Sequence, residues 1–224
     1  MIKDRNDAHE HAGIAANNIP HRSNVVLRYW TDASRRGTAE EGPVGAAFCY
    51  RSLTFGSWID KALKCHNLTT SAVGELQAIA MALEHAEGTY STMTGPLRSQ
   101  VRIELFGDST YALEKIRGDR DCESRDEAMI CRDILELFRF LPVEPDRVHM
   151  FFVPAHQGNA GNERADEKAG DASTEASNIP GFPLPRQVRF LPRRLFAFEP
   201  PHLEIPNPDP ELGLTLLVWS RART

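Results

Sequence analysis

The run Val101-Arg102-Ile103-Glu104-Leu105-Phe106-Gly107-Asp108-Ser109 decides how this 224-residue chain is read. Its first residues alternate apolar and polar side chains, the two-residue period of a strand, and it closes on a small-acidic-small triplet. Ser109 to Ile116 then takes up helical spacing. Upstream, Thr70 to Glu87 is also helical, with Val73, Leu76, Ile79, Ala80 and Leu83 on one stripe and Thr69, Thr70 or Ser71 suited to cap the start. A strand set between helices places the chain in the α/β class.

Working outward, three strand candidates precede the first helix. Val25, Val26, Leu27 and Tyr29 form an apolar run that ends at Thr31-Asp32-Ala33-Ser34. Val44 to Arg51 and a stretch around Thr54 to Asp60 follow through short linkers, the signature of an antiparallel meander. Downstream, Ala128 to Phe140 reads as an amphipathic helix, Val148 to Val153 as a strand and Asn162 to Ala172 as a last helix. The order is β-β-β-α-β-α-α-β-α, a mixed five-stranded sheet flanked by helices.

Residues 1–22 are polar and aperiodic and read as a flexible tail; residues 23–174 hold the folded domain. Residues 175–224 carry prolines from Pro180 to Pro210 at a density that opposes helix and central strand. This extension reads as an arm, with Leu212 to Trp219 as a candidate late strand and Arg186, Arg189, Arg193 and Arg194 as its basic cluster.

A hydrophobic content of 41% and a charged content of 25% suit a globular protein. The net charge of −5 counts against a protein whose whole task is gripping phosphate backbones. Cys49, Cys65, Cys122 and Cys131 show no C-x-x-C pair and no histidine at zinc spacing, so reduced thiols are expected. The first thirty residues lack the apolar core of a secretory signal, and no stretch is long enough to span a bilayer. An intracellular monomer with no membrane association is expected, with cytoplasm, nucleus and organelle left open.

Four carboxylates stand where strand and helix ends would gather them: Asp32, Glu75, Asp108 and Asp166. Three have small neighbours, in Asp32-Ala33-Ser34, Gly74-Glu75 and Gly107-Asp108-Ser109, which leaves room for a ligand and ordered ions. With the block Ala155-His156-Gln157-Gly158-Asn159-Ala160-Gly161-Asn162-Glu163-Arg164-Ala165-Asp166, this pattern resembles the type 1 ribonuclease H family over about two-thirds of the chain. The resemblance implies the ribonuclease H-like fold and hydrolysis of the RNA strand of RNA–DNA hybrids. It implies two Mg²⁺ ions on Asp32, Glu75, Asp108 and Asp166, with Mn²⁺ as a substitute, and His156 on a loop beside them. Ser34, Thr70, Ser71, Ser109 and Asn162 would meet the hybrid. Mg²⁺ prefers oxygen ligands, and such a cluster of carboxylates raises its own pKa values by repulsion until cations neutralise it.

The chain departs from the family at Ala33 and Ala155, where glycine is usual, and at Ala72, which replaces an amide side chain. From Arg117 to Asp133, where bacterial members carry a basic protrusion, acids outnumber arginines. Weaker substrate binding is the expectation. A non-catalytic hybrid-binding module and a retroelement-derived domain remain as alternatives.

Overall fold

The computed structural model describes residues 25–35, 43–65, 68, 70–94, 96–174 and 217–218. Strands β1 (Val26–Ser34), β2 (Val44–Arg51) and β3 (Trp58–Cys65) come first, then helix α1 (Ser71–Thr92) and strand β4 (Arg102–Gly107). Helices α2 (Thr110–Arg117) and α3 (Arg125–Phe140), strand β5 (Val148–Phe152) and helix α4 (Ala160–Ser173) complete the order. β1, β2 and β3 pair antiparallel, while β4 joins β1 and β5 in parallel. The mixed five-stranded sheet read from the sequence is present. A two-residue strand β6 (Leu217–Val218), within the stretch 212–219, pairs antiparallel with β5 and makes the sheet order β3-β2-β1-β4-β5-β6. The polar tail 1–22 and the rest of the proline-rich extension lie outside the described residues.

Both faces of the central strands are buried, which is why β1 and β4 are rich in large apolar residues. Leu27, Tyr29, Ile103 and Leu105 pack with Leu76 and Leu83 of α1 and Ile134 of α3. Trp30, Phe106 and Phe151 face the other way, with Ala165 of α4, and their rings stack in series with centroids 5.1 Å apart. Two glycines set the height of α4 over the sheet. A Cβ on Gly45 would fall 1.9 Å from the Ala169 carbonyl oxygen, and one on Gly161 would fall 2.3 Å from the Trp30 ring. Trp30 is a core residue with 0% exposure, while Trp58 is half-buried and meets it edge-on at 5.2 Å.

Two elements differ most from the sequence reading, while α3 begins three residues earlier than read, at Arg125. The third strand starts at Trp58 rather than near Thr54. A tight turn occupies the intervening residues: Ser52 Oγ accepts from the amides of Thr54 and Phe55, and Gly56 takes a φ of +66°. α1 runs to Thr92, through a stretch rich in Ser, Thr and Gly. Burial of Tyr90 in the core outweighs the poor helix propensity of Gly88 and Thr89.

Candidate active site

Parallel pairing of β1 with β4 brings the first two carboxylates together. The registered pairs run to Trp30↔Phe106, so Asp32 and Asp108 each lie two residues further on, side by side at the strand ends. Thr31 Oγ1 donates to the Phe106 carbonyl at 3.4 Å, and a Cβ on Gly107 would stand 3.0 Å from that hydroxyl. The third carboxylate arrives on α1, whose start is fixed by the Thr70 hydroxyl accepting from the Val73 amide at 3.2 Å. A Cβ on Gly74 would lie 2.5 Å from Val44 Cγ1 and 2.7 Å from Ala33 Cβ. Glycine therefore lets the helix abut the sheet one residue before Glu75. The Ala33 amide then bridges the two acids, donating to Asp32 Oδ1 at 2.7 Å and to Glu75 Oε1 at 3.0 Å.

One oxygen each from Asp32, Glu75 and Asp108 lie within 4.8 Å of one another. Asp32 and Glu75 are only 6% and 7% exposed. Burial first, then the charges of Asp108 and Asp166, pushes the Asp32 carboxyl up from 3.8 to about 7. Burial and then the charge of Asp32 hold the Glu75 carboxyl well above its ordinary value. The sequence suggested mutual repulsion as the cause; desolvation is the larger part. Glu75 Oε2 is buried without a hydrogen-bond partner. A hard oxygen donor set, an excess of negative charge and an unpartnered carboxylate oxygen all fit a divalent cation such as Mg²⁺ or Mn²⁺.

Asp166 is not among the three clustered acids. It sits half-buried on α4, close enough to Asp32 to raise its carboxyl. His156 occupies the exposed loop between β5 and α4 with a φ of +53°, a left-handed conformation that costs a non-glycine residue about 1 kcal/mol or more. The same loop is anchored by Gly158, at φ +78°, whose amide donates to Glu163 Oε1 at 3.0 Å. Asn159 caps α4, its side-chain oxygen accepting from the amides of Gly161 and Asn162, both at 3.2 Å.

The residues expected to meet substrate separate into different situations. Ser34 is half-buried beside the site; Thr70 and Ser71 are exposed at the start of α1. Ser109 caps α2, its Oγ accepting from the Ala112 amide at 3.2 Å. Asn162 is 2% exposed, and its Nδ2 donates to Asp108 Oδ2 at 3.1 Å. The small neighbours that suggested ligand space have another use, because Gly74 lets the helix backbone lie against the Val44 and Ala33 side chains and Gly107 lets β4 lie against the Thr31 hydroxyl. Sequence reasoning missed the bridging Ala33 amide, for which no side-chain signal exists. The Gly74-Glu75 pair was the visible sign of the close helix.

Among solved structures, RNase H1 from the halophilic archaeon Halobacterium salinarum is 24% identical, with a TM-score of 0.50 over 66% of this chain and 96% of its own. An RNase H1 isolated from compost by a metagenomic approach is 20% identical, with a TM-score of 0.51 over 66% of this chain and 94% of its own. The compost enzyme has also been solved in complex with an RNA/DNA hybrid, and that structure matches at 18% identity with a TM-score of 0.50 over 66% and 96% of the two chains. These likenesses show a shared fold. The family model for RNase H matches residues 24–174, and the chain belongs to the RNase H family.

Proposed function

We propose that the chain is an endonuclease that hydrolyses the RNA strand of RNA–DNA hybrids, with two divalent cations held by Asp32, Glu75, Asp108 and Asp166. The observation that carries this reading is the three-carboxylate group, two of its acids buried and Asp108 half-buried, with its unpartnered Glu75 oxygen, set in an RNase H family fold. Cations bound there would activate the attacking water and stabilise the leaving 3′-oxygen.

The chain's own groups supply placement. The Ala33 amide holds Asp32 and Glu75 at fixed angles, and Asn162 Nδ2 does the same for Asp108. In this reading Asn162, being buried, acts as a positioning residue through Asp108 and not as a substrate contact. Ser34, Thr70 and Ser71 are left to meet the hybrid, and Ser109 adds its cap to the start of α2 beside Asp108. His156, exposed on its glycine-bearing loop, moves protons or assists product release. The domain that does this spans residues 23–174, within one residue of the family match.

The test is cleavage of a labelled hybrid alongside matched duplex DNA, duplex RNA and single strands, with and without Mg²⁺. Cleavage of the RNA strand, in the hybrid and with metal, is the expected result. Hybrid binding without cleavage would instead establish a non-catalytic module. Within an active protein, His156→Ala slows turnover by roughly one to two orders of magnitude, the low range for a positioned proton-transfer group. A loss as complete as that of an aspartate variant would make His156 indispensable.

A further inference from the structure

Asp166 reaches the border of the site on α4, so the roll of that helix decides how far it stands from the other acids. The buried stripe of α4, Gly161, Ala165, Ala169 and Ala172, lies over β1, β2 and β3. Ala165 points into the core with 0% exposure. Successive residues of a helix are turned by about 100°, so Arg164 and Asp166 leave α4 on opposite flanks. Asn162, four residues before Asp166, shares its flank and donates to Asp108 at 3.1 Å, beside the end of β4. On the other flank Arg164 grips Asp60 of β3 with two prongs, Nε to Oδ1 at 2.5 Å and Nη2 to Oδ2 at 2.7 Å. β3 and β4 lie on opposite sides of the β2–β1 pair, so α4 is held from both sides. The contacts beneath the helix, Gly45 with Ala169 and Gly161 with Trp30, set its height. The flanking bonds set its roll, and a roll of about 20° moves a group ~6 Å from the axis by about 2 Å.

We propose that Asp60 and Arg164 are a positioning pair, which clamps the β3 flank of α4 and so sets the distance of Asp166 from Asp32, Glu75 and Asp108. This rests on Asp166 being a metal ligand, as in the function proposed above. Neither member of the pair belongs to the three-acid group, and Asp60 comes from a strand that supplies none of the site acids. Their effect on the metal therefore runs through the helix. A two-pronged guanidinium–carboxylate contact fixes angle as well as distance, which suits it to holding a roll. The Arg164 guanidinium also lies 5.9 Å from the centre of the Trp58 ring, which limits its swing. The two side chains are 34% and 22% exposed, so the pair adds little to stability. Orientation of α4 is its larger contribution.

The test is Mn²⁺ binding to the full chain without nucleic acid, read from the electron paramagnetic resonance signal of the free ion. Arg164→Gln and Asp60→Asn should each weaken binding about tenfold, the low end for residues that orient metal ligands. Each should lower the metal-free Tm by no more than about 3 °C. The two substitutions change the charge near the site in opposite senses. Acting through the field alone, Arg164→Gln would tighten cation binding and Asp60→Asn would weaken it. Opposite shifts would therefore overturn the positioning role, and so would unchanged affinity in both variants. Asp166→Asn is the control for the ligand assignment. It should weaken binding by itself, and Arg164→Gln added to it should cost nothing more. A further tenfold loss in that double variant would show that Arg164 acts on something other than Asp166. If Asp166→Asn binds Mn²⁺ as the wild type does, Asp166 is no ligand, and the positioning role falls with that assignment.

Discussion

Glu75 and Glu127 are buried to nearly the same degree, 7% and 4% exposed, and the protein treats them in opposite ways. Glu127 has every need met. Tyr111 donates its hydroxyl to Oε1 at 2.6 Å, and Lys115 and the Glu123 amide donate to Oε2. Burial works to raise its carboxyl, but these hydrogen bonds outweigh burial and hold it below the ordinary value. Lys115 shows the mirror image, with burial opposing its charge and the bonds to Glu127 and Tyr111 prevailing. Glu75 has one amide, two neighbouring acids and an unpartnered oxygen, and its carboxyl is driven up. The lesson is that burial alone does not mark a functional acid. A buried carboxylate completed by donors braces the fold, whereas one left incomplete is held ready for a cation.

The widest separation of the two corners is in activity. Asp108→Asn should lower hybrid cleavage at least about a thousandfold, equivalent to about 4 kcal/mol of lost transition-state stabilisation, while the chain stays folded. Glu127→Gln, assayed well below its melting temperature, should retain most activity. Similar losses in both variants, measured as single-turnover rates on folded protein, would erase the distinction.

In stability the order reverses. Glu127→Ala takes away the acceptor shared by Tyr111, Lys115 and the Glu123 amide, leaving Lys115 only the Asp121 carbonyl, the more distant Glu123 and the Tyr111 ring, and should lower Tm by roughly 5 °C. Glu75→Gln, in chelator at pH 8, removes a poorly solvated charge while an amide oxygen can still accept from Ala33, so Tm should rise by about 3 °C. A fall in Tm for the Glu75 variant would mean that its carboxylate stabilises the fold without metal.

The smallest effect is the most specific. The Asp32 carboxyl is raised in the folded state, from 3.8 to about 7, so the folded chain binds more protons than the unfolded chain between those values. Stability from this group is fully present below the lower value and is lost as pH rises through the upper one. In chelator, Tm should therefore decline by a few degrees between about pH 4 and pH 7, and Asp32→Asn should flatten the decline. Mg²⁺ should raise Tm increasingly toward high pH, where the acids are ionised. A metal-free Tm that climbs over this range in the wild type but not in the Asp32 variant would reverse the sign and refute the electrostatic account.

Much of this contrast was already legible in the residue string. Alternation in Val101 to Phe106 and the helical stripe from Val73 to Leu83 are local patterns, imposed by the periods of strand and helix, so the element order could be read directly. The acids Asp32, Glu75 and Asp108 stand at element ends, where strands and helices deliver side chains to a common edge. Element limits were less readable. β3 begins late because Ser52 and Gly56 build a turn, and α1 runs long because Tyr90 finds a buried place, both outcomes of hydrogen bonding and packing between distant residues.

By itself, the sequence determined which side chains could do the chemistry and the order in which the chain presents them, since identity and periodicity are local properties. Tertiary structure decided how closely they meet. Gly74 brings α1 against Ala33 and Val44, so Glu75 joins Asp32 and Asp108 within 4.8 Å, while Asp166 on α4 stays at the border of the group. It also decided that Asn162 is buried against Asp108 and that Glu127 finds Lys115, whereas Glu75 keeps an oxygen without a partner. These outcomes depend on desolvation and on donors brought from remote parts of the chain, and neither is encoded in the spacing of residues along a single element.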